Sequence, residues 1–252
     1  MQKIVLITGA TSGIGEAAAK IFAKNGCKLI LTGRREDRLM VFSNQLVKEF
    51  GIEVLPLVFD VRNLEAVQNA VNHLPDNWKS IDVLLNNAGL AVGLNAIQDG
   101  VIDDWERMID TNIKGLLYVT RCFAPLMIAR NSGHIINIGS IAGKEVYANG
   151  NVYCATKHAV DALTKAMRTD MVKHGIKVTQ IAPGAVETEF SIVRFKGDKS
   201  AADNVYKGFV PLSADDIADV IYYVISLPAH VCINDLVITP TAQASATNIY
   251  KV

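Results

Sequence analysis

Lys3-Ile4-Val5-Leu6-Ile7-Thr8-Gly9-Ala10-Thr11-Ser12-Gly13-Ile14-Gly15-Glu16 joins a short apolar run to a glycine-rich turn and a helical pattern that continues to about Lys24. An unbroken apolar run of this length reads as a strand buried on both faces. Glycines in the turn let the backbone approach a pyrophosphate, and the following helix N-terminus offers unpaired N–H groups and a positive dipole end. A tight turn needing glycine for packing alone carries the same letters. Strand, turn and helix in that order favour a dinucleotide site at Gly9, Thr11, Ser12, Gly13, Ile14 and Gly15.

The alternation continues outward from this unit. Strand-like runs recur at about residues 28–32, 53–59, 82–85, 134–139, 176–181 and 235–239, separated by helical patterns, with no linker, repeat or low-complexity stretch. This predicts one α/β domain over residues 1–252, a doubly wound parallel sheet with helices on both faces. The second strand runs into Gly33-Arg34-Arg35. An acidic residue there would bind the ribose of NAD, whereas arginine accommodates the 2′-phosphate of NADP. Arg34 therefore points to NADP, while Arg35 reads equally as a solvated helix-start residue. A long helix is expected over about residues 103–129, with an inward stripe of Trp105, Met108, Ile109, Asn112, Leu116, Val119 and Phe123. Asn112 is the polar member of that stripe, either a structural clamp or a site residue. Residues 187–210 read as an irregular, mobile substrate lid containing Gly197 and Gly208.

Composition excludes several functions. The chain has 252 residues, half of them hydrophobic, enough for a sizeable core. Lys+Arg and Asp+Glu both number 25, and no basic run suggests nucleic acid or a membrane surface. No apolar run is long enough to span a bilayer, and no signal-peptide pattern is visible. Four scattered cysteines without a CxxC read as reduced thiols, so a cytoplasmic location is expected, and the five histidines show no metal spacing.

The chemistry falls on Tyr153-Cys154-Ala155-Thr156-Lys157, near the start of a helical segment over about residues 151–174. Residues four apart share a helix face, which predicts the Lys157 ammonium beside the Tyr153 phenol, favouring the phenolate. Ser140 stands just past the fifth strand, where parallel sheets bind ligands.

Taken together, Thr8-Gly9-xxx-Gly13-x-Gly15, Asp60, Asn86-Asn87-Ala88-Gly89, Asn112, Ser140, Tyr153-xxx-Lys157 and Pro183-Gly184-x-Val186-x-Thr188 resemble the short-chain dehydrogenases/reductases over nearly the whole chain. That resemblance implies seven strands ordered 3-2-1-4-5-6-7, a nicotinamide cofactor and a homotetramer. It implies that Asp60 and Val61 flank the adenine and Asn87 the adjacent ribose, with Ala88 and Gly89 also at the cofactor. Tyr153 and Lys157 would hold the nicotinamide ribose and Thr188 would meet the carboxamide, with Pro183, Gly184 and Val186 also at the cofactor. It also implies Tyr153 as base, Ser140 positioning the reacting oxygen, Lys157 lowering the pKa of Tyr153, and Asn112 ordering a water.

A narrower likeness lies in Trp105-Glu106-xx-Ile109-Asp110-Thr111-Asn112, Gly150-Asn151-Val152-Tyr153, the run from Glu189 to Asp198, and Leu227-Pro228-Ala229-His230-Val231. These look like the NADP-dependent 3-hydroxy acid dehydrogenases, which oxidise serine, L-allo-threonine and related acids and reduce 3-oxo acids or small aldehydes. The glycine turn departs from many NADP-using relatives in carrying Thr11-Ser12 without a basic residue. Rival readings are a reducer of other carbonyls or 3-oxoacyl thioesters on the same fold, and a non-catalytic NADP-binding regulator. A 3-hydroxy acid needs a cation for its carboxylate. Lys144, Arg194 and Lys196 are candidates, and Arg194 stands out for its apolar neighbours Phe190, Val193 and Phe195.

Overall fold

The computed structural model describes residues 2–252. Seven strands, β1 (Ile4–Thr8), β2 (Lys28–Gly33), β3 (Val54–Val58), β4 (Ile81–Asn86), β5 (Gly133–Ile138), β6 (Ile176–Pro183) and β7 (Asp235–Ile238), form one sheet. Their order is β3-β2-β1-β4-β5-β6-β7, as the sequence implied, and every pairing is parallel. Because all strands run one way, the carboxyl ends of β1, β2, β4, β5 and β6 share one edge. Pro56 is tolerated because β3 is an edge strand and gives up a hydrogen bond no neighbour needs.

Side chains of successive strand residues point to opposite faces, so each strand feeds two cores. Val5 and Ile7 enter a cluster with Phe22 of α1 (Gly13–Lys24), Leu39 and Leu46 of α2 (Glu36–Phe50), and Ile221 of α9 (Ala214–Ser226). Ile4 and Leu6 enter a second cluster, with Val67 of α3 (Leu64–Asn72), Phe123 of α5 (Leu116–Ile128) and Met167 of α6 (Asn151–Met171). A third, smaller cluster joins Leu90, Met108, Ala142 and Tyr153 near the carboxyl edge.

Two expectations change. The helix expected over 103–129 is divided: α4 (Ile102–Ile109) passes through a π turn, Asp110–Gly115, before α5 begins. A π turn inserts a residue into the helical ladder and commonly marks a functional site, and this one carries Asn112. The segment over 187–210 is not irregular. It holds α7 (Glu189–Arg194) and α8 (Lys199–Tyr206), N-capped by the side chains of Thr188 and Asp198. Gly197 and Gly208, with φ of +94° and +89°, end these two helices in backbone conformations that L side chains rarely adopt. The residues after β7 also fold back: Tyr250 N–H donates to Ala242 O and Val252 N–H to Gly208 O, each at 2.9 Å.

Candidate active site

The carboxyl edge of the sheet opens into a cleft of about 500 Å³ that runs from the glycine turn to the third cluster. At one end lies the turn after β1. A Cβ on Gly15 would stand 2.4 Å from Gly9 O and 2.5 Å from Asn87 Nδ2, so the close approach of turn and helix requires glycine there. Ser12 precedes α1 in extended conformation and its side chain makes no cap, leaving that helix end free to meet a phosphate. The Asn87 side chain donates to Thr8 O at 2.9 Å and Gly9 O at 3.2 Å, fastening β4 to the turn.

Arg34 and Arg35, both exposed, line the same end of the cleft with Asp60 and Val61. Arg34 reaches within 3.7 Å of Asp60, whose carboxylate is gripped by Arg62. Burial opposes the Asp60 charge, yet those hydrogen bonds outweigh it and hold the carboxyl below its usual pKa. Arg35 donates to the Thr11 hydroxyl at 3.1 Å. Two cations beside an uncapped helix N-terminus fit a dinucleotide carrying an extra phosphate on its adenosine ribose. Ile14, Ala88, Gly89, Pro183, Gly184, Val186 and Thr188 line the rest of this wall.

Further along, α6 brings Tyr153 and Lys157 to the cleft, and the end of β5 brings Ser140. Tyr153 is 9% exposed, Ser140 9% and Lys157 7%. Lys157 Nζ donates to Ile138 O at 2.9 Å and lies 5.9 Å from the centre of the Tyr153 ring. Burial lowers its pKa to about 8. Burial also raises the Tyr153 pKa, opposed chiefly by Arg194 and further by the Ser140 hydroxyl. The Arg194 guanidinium is 4.9 Å from the Tyr153 ring centre, nearer than Lys157. The sequence paired Tyr153 with Lys157; the fold adds a cation from α7.

Asn112 holds a clamp. Its Oδ1 accepts from Leu90 N at 2.9 Å, and its Nδ2 donates to Leu90 O at 2.8 Å and Thr156 Oγ1 at 3.0 Å. Thr156 in turn donates to Tyr153 O. Three of the four hydrogen bonds an amide can make are thus spent on bracing α6 against the segment after β4.

Of the three candidate cations, Lys144 is held between Asp161 and Asp235, and Lys196 lies 2.7 Å from Asp104. Arg194 stays in the cleft. One Nη donates to the Tyr147 hydroxyl, while its Nε is buried without a partner. Tyr147, Phe190 and Tyr153 surround it, with ring centres 4.9–5.6 Å away. The sequence reading missed Tyr147, Tyr206, Gln243, Ala246 and Ile249, all of which line the cleft. None belongs to a local motif, and the last three arrive through the fold of the C-terminal segment.

The short chain dehydrogenase family profile matches residues 3–198. The chain belongs to that family. A Salmonella typhi NADP-dependent 3-hydroxy acid dehydrogenase is 49% identical to this short-chain dehydrogenase over 244 residues, covering 96% of this chain and 97% of that one. Sulfoacetaldehyde reductase 2 of Chromohalobacter salexigens is 46% identical over 245 residues, covering 97% and 96%. Among solved structures, the closed form of a serine dehydrogenase complexed with NADP+ superposes with a TM-score of 0.92 at 46% identity, covering 99% of this chain and all of that one. Among the described residues no helix is long and apolar enough to cross a membrane, and no cluster of His, Cys, Asp or Glu could hold a metal ion.

Proposed function

We propose that this short-chain dehydrogenase uses NADP to oxidise the hydroxyl of small 3-hydroxy acids of the L-serine, L-allo-threonine and 3-hydroxypropionate type, and reduces the corresponding 3-oxo acids or aldehydes. The observation that carries this reading is Arg194: a guanidinium in the cleft, against Tyr153, with a buried Nε lacking a partner. A buried donor without a partner is costly, and a small anion beside the reacting carbon would satisfy it. Names of relatives that include a hydroxy acid dehydrogenase and a sulfonated aldehyde reductase agree with an anionic substrate.

NADP, when bound, accepts or supplies the hydride. The residues do the rest. Tyr153 takes the hydroxyl proton at its Oη during oxidation and returns it during reduction, and Ser140 orients the same oxygen. Lys157 holds the nicotinamide ribose and a positive charge near Tyr153. Asn112 braces α6 so that Tyr153 faces the cleft, and the water expected near it completes the proton path. Residues 187–210 close over the substrate as a lid. The test is NADP+ reduction with L-serine, L-allo-threonine and 3-hydroxypropionate, and NADPH oxidation with small anionic aldehydes, against neutral ketones and 3-oxoacyl thioesters. Comparable kcat/KM for the neutral panel would remove the anionic-substrate reading, and no turnover with any compound would return the chain to a binding role.

Arg34 reads the 2′-phosphate, aided by Arg35. Arg34→Ala is expected to raise the KM for NADP+ at least about tenfold with little change for NAD+, since an arginine–phosphate contact is charge-assisted and bidentate. Equal effects on both cofactors in steady-state kinetics would reassign the phosphate.

The chain forms a homotetramer and works in the cytoplasm. On α6, Ala155 and Ala166 are exposed and Ala159 half-buried, and Leu117 on α5 is exposed, a small-residue face suited to close helix packing. Sedimentation as a monomer at micromolar concentration would exclude the assembly.

A further inference from the structure

Helix α7 lies along the cleft with opposite charges at its two ends. Arg194, at its C-terminal end, faces Tyr153. Glu189, at its first position, faces the adenosine end, where its carboxylate is 3.3 Å from Arg38 Nη1 and 3.7 Å from Arg35 Nη1. Thr188, the residue before it, packs on the glycine turn: a Cβ on Gly13 would be 3.3 Å from Thr188 Cβ. The lid helix is therefore joined across the cleft to α2, the helix that begins at the arginines after β2. Arg35 also donates to Thr11 on the phosphate turn. A guanidinium has five N–H donors in a fixed fork and can serve a carboxylate and a phosphate together. All three side chains are about half exposed, so their pairing is weak unless something orders Arg35.

We infer that Glu189 is a positioning residue that fastens α7 across the cleft through Arg35 and Arg38, so that a phosphate on the adenosine ribose sets how firmly Arg194 is held over Tyr153. A dianionic phosphate orders Arg35 from one side and Glu189 takes up its free donors from the other. Arg38 supplies the second cation that keeps the carboxylate from being repelled by the phosphate. The device makes cofactor choice and substrate-pocket closure one event: NAD, lacking that phosphate, leaves the clasp loose. This inference rests on the lid reading of residues 187–210.

The experiment follows amide hydrogen exchange of the 189–194 segment and the rate of NADPH release by stopped-flow fluorescence. The proteins are wild type, Glu189→Gln, Arg38→Gln and the double variant, each loaded with NADP(H) or NAD(H). In wild type, NADP+ is expected to protect the segment more than NAD+ does. Glu189→Gln and Arg38→Gln should each erase that difference and speed NADPH release about fivefold, the scale of weak exposed pairs. The double variant should do no more than either single one. The effect should shrink at about 0.5 M salt, where exposed pairs are screened. Slower NADPH release from Glu189→Gln would show that the carboxylate only repels the phosphate, and additive losses would show that the two residues act apart; either overturns the clasp. An NADP+-bound wild type with no protection at all would overturn the lid reading together with it.

Discussion

Tyr153→Phe is expected to lose about a thousandfold in kcat while binding NADPH as wild type does, within the range a positioned proton-transfer group supplies. The ring has reasons to stay in place without its oxygen. It packs against Phe190 with centres 5.6 Å apart, sits under Arg194, and belongs to the cluster of Leu90, Met108 and Ala142. The substitution therefore removes one titrating atom and little packing. Single-turnover kinetics with a fluorescence titration of NADPH would separate the two effects, and a variant turning over at near wild-type rates would end the assignment of Tyr153 as the proton-transfer group.

The sign of the pH dependence follows from burial. Burial raises the Tyr153 pKa, so in the free protein the phenol is protonated at neutral pH. A protonated phenol is the form needed to give a proton to a carbonyl, whereas oxidation draws on the minor phenolate. Oxidation should accordingly accelerate as pH rises, and reduction should hold steady across neutrality and fall once the phenol ionises. Lys157, lowered to about 8 by its own burial, loses charge on the same alkaline side. Its loss removes a charge that favours the phenolate, so it blunts the rise in oxidation and moves the fall in reduction to higher pH.

How much of this was legible in the sequence depended on range. Gly9 to Gly15 and Tyr153 to Lys157 are local patterns, and both stand where the strand–helix alternation put them. The sheet order came with the family resemblance carried by those motifs. Asn112 was left between clamp and site residue, because its partners Leu90 and Thr156 lie 22 and 44 residues away. The neighbourhood of Tyr153 was legible only in part for the same reason. Helical spacing placed Lys157 on its face, 5.9 Å from the ring centre, but could not show its bond to Ile138 O on β5 or the approach of Arg194 from a different helix. The segment over 187–210 read as irregular because α7 spans six residues, fewer than two turns, too short for a 3.6-residue period to show. Gln243, Ala246 and Ile249 carried no signal at all, since nothing local marks a polar segment that folds back over a cleft.

Arg194→Ala is expected to reduce kcat/KM for a 3-hydroxy acid by about 2–4 kcal/mol, roughly 30- to 1,000-fold, and for a neutral alcohol or aldehyde far less. The other two cations proposed for this role are spent, Lys144 on Asp161 and Asp235 and Lys196 on Asp104. Arg194 alone of the three faces Tyr153, and its buried Nε has no hydrogen-bond partner. The same guanidinium favours the Tyr153 phenolate. Its removal should therefore move the rising limb of oxidation toward higher pH even with a neutral alcohol, a change a merely structural defect would not produce. When a carboxylate or sulfonate binds, it neutralises part of that charge, so anionic substrates should see a more basic Tyr153 than neutral ones do. The decisive comparison is the acid against the neutral compound across pH in both proteins. A loss confined to the acid, with the limb shifted for both, fits an arginine that binds the anion and tunes the phenol; equal losses on both compounds with the limb unmoved would mean that Arg194 only holds α7 in place.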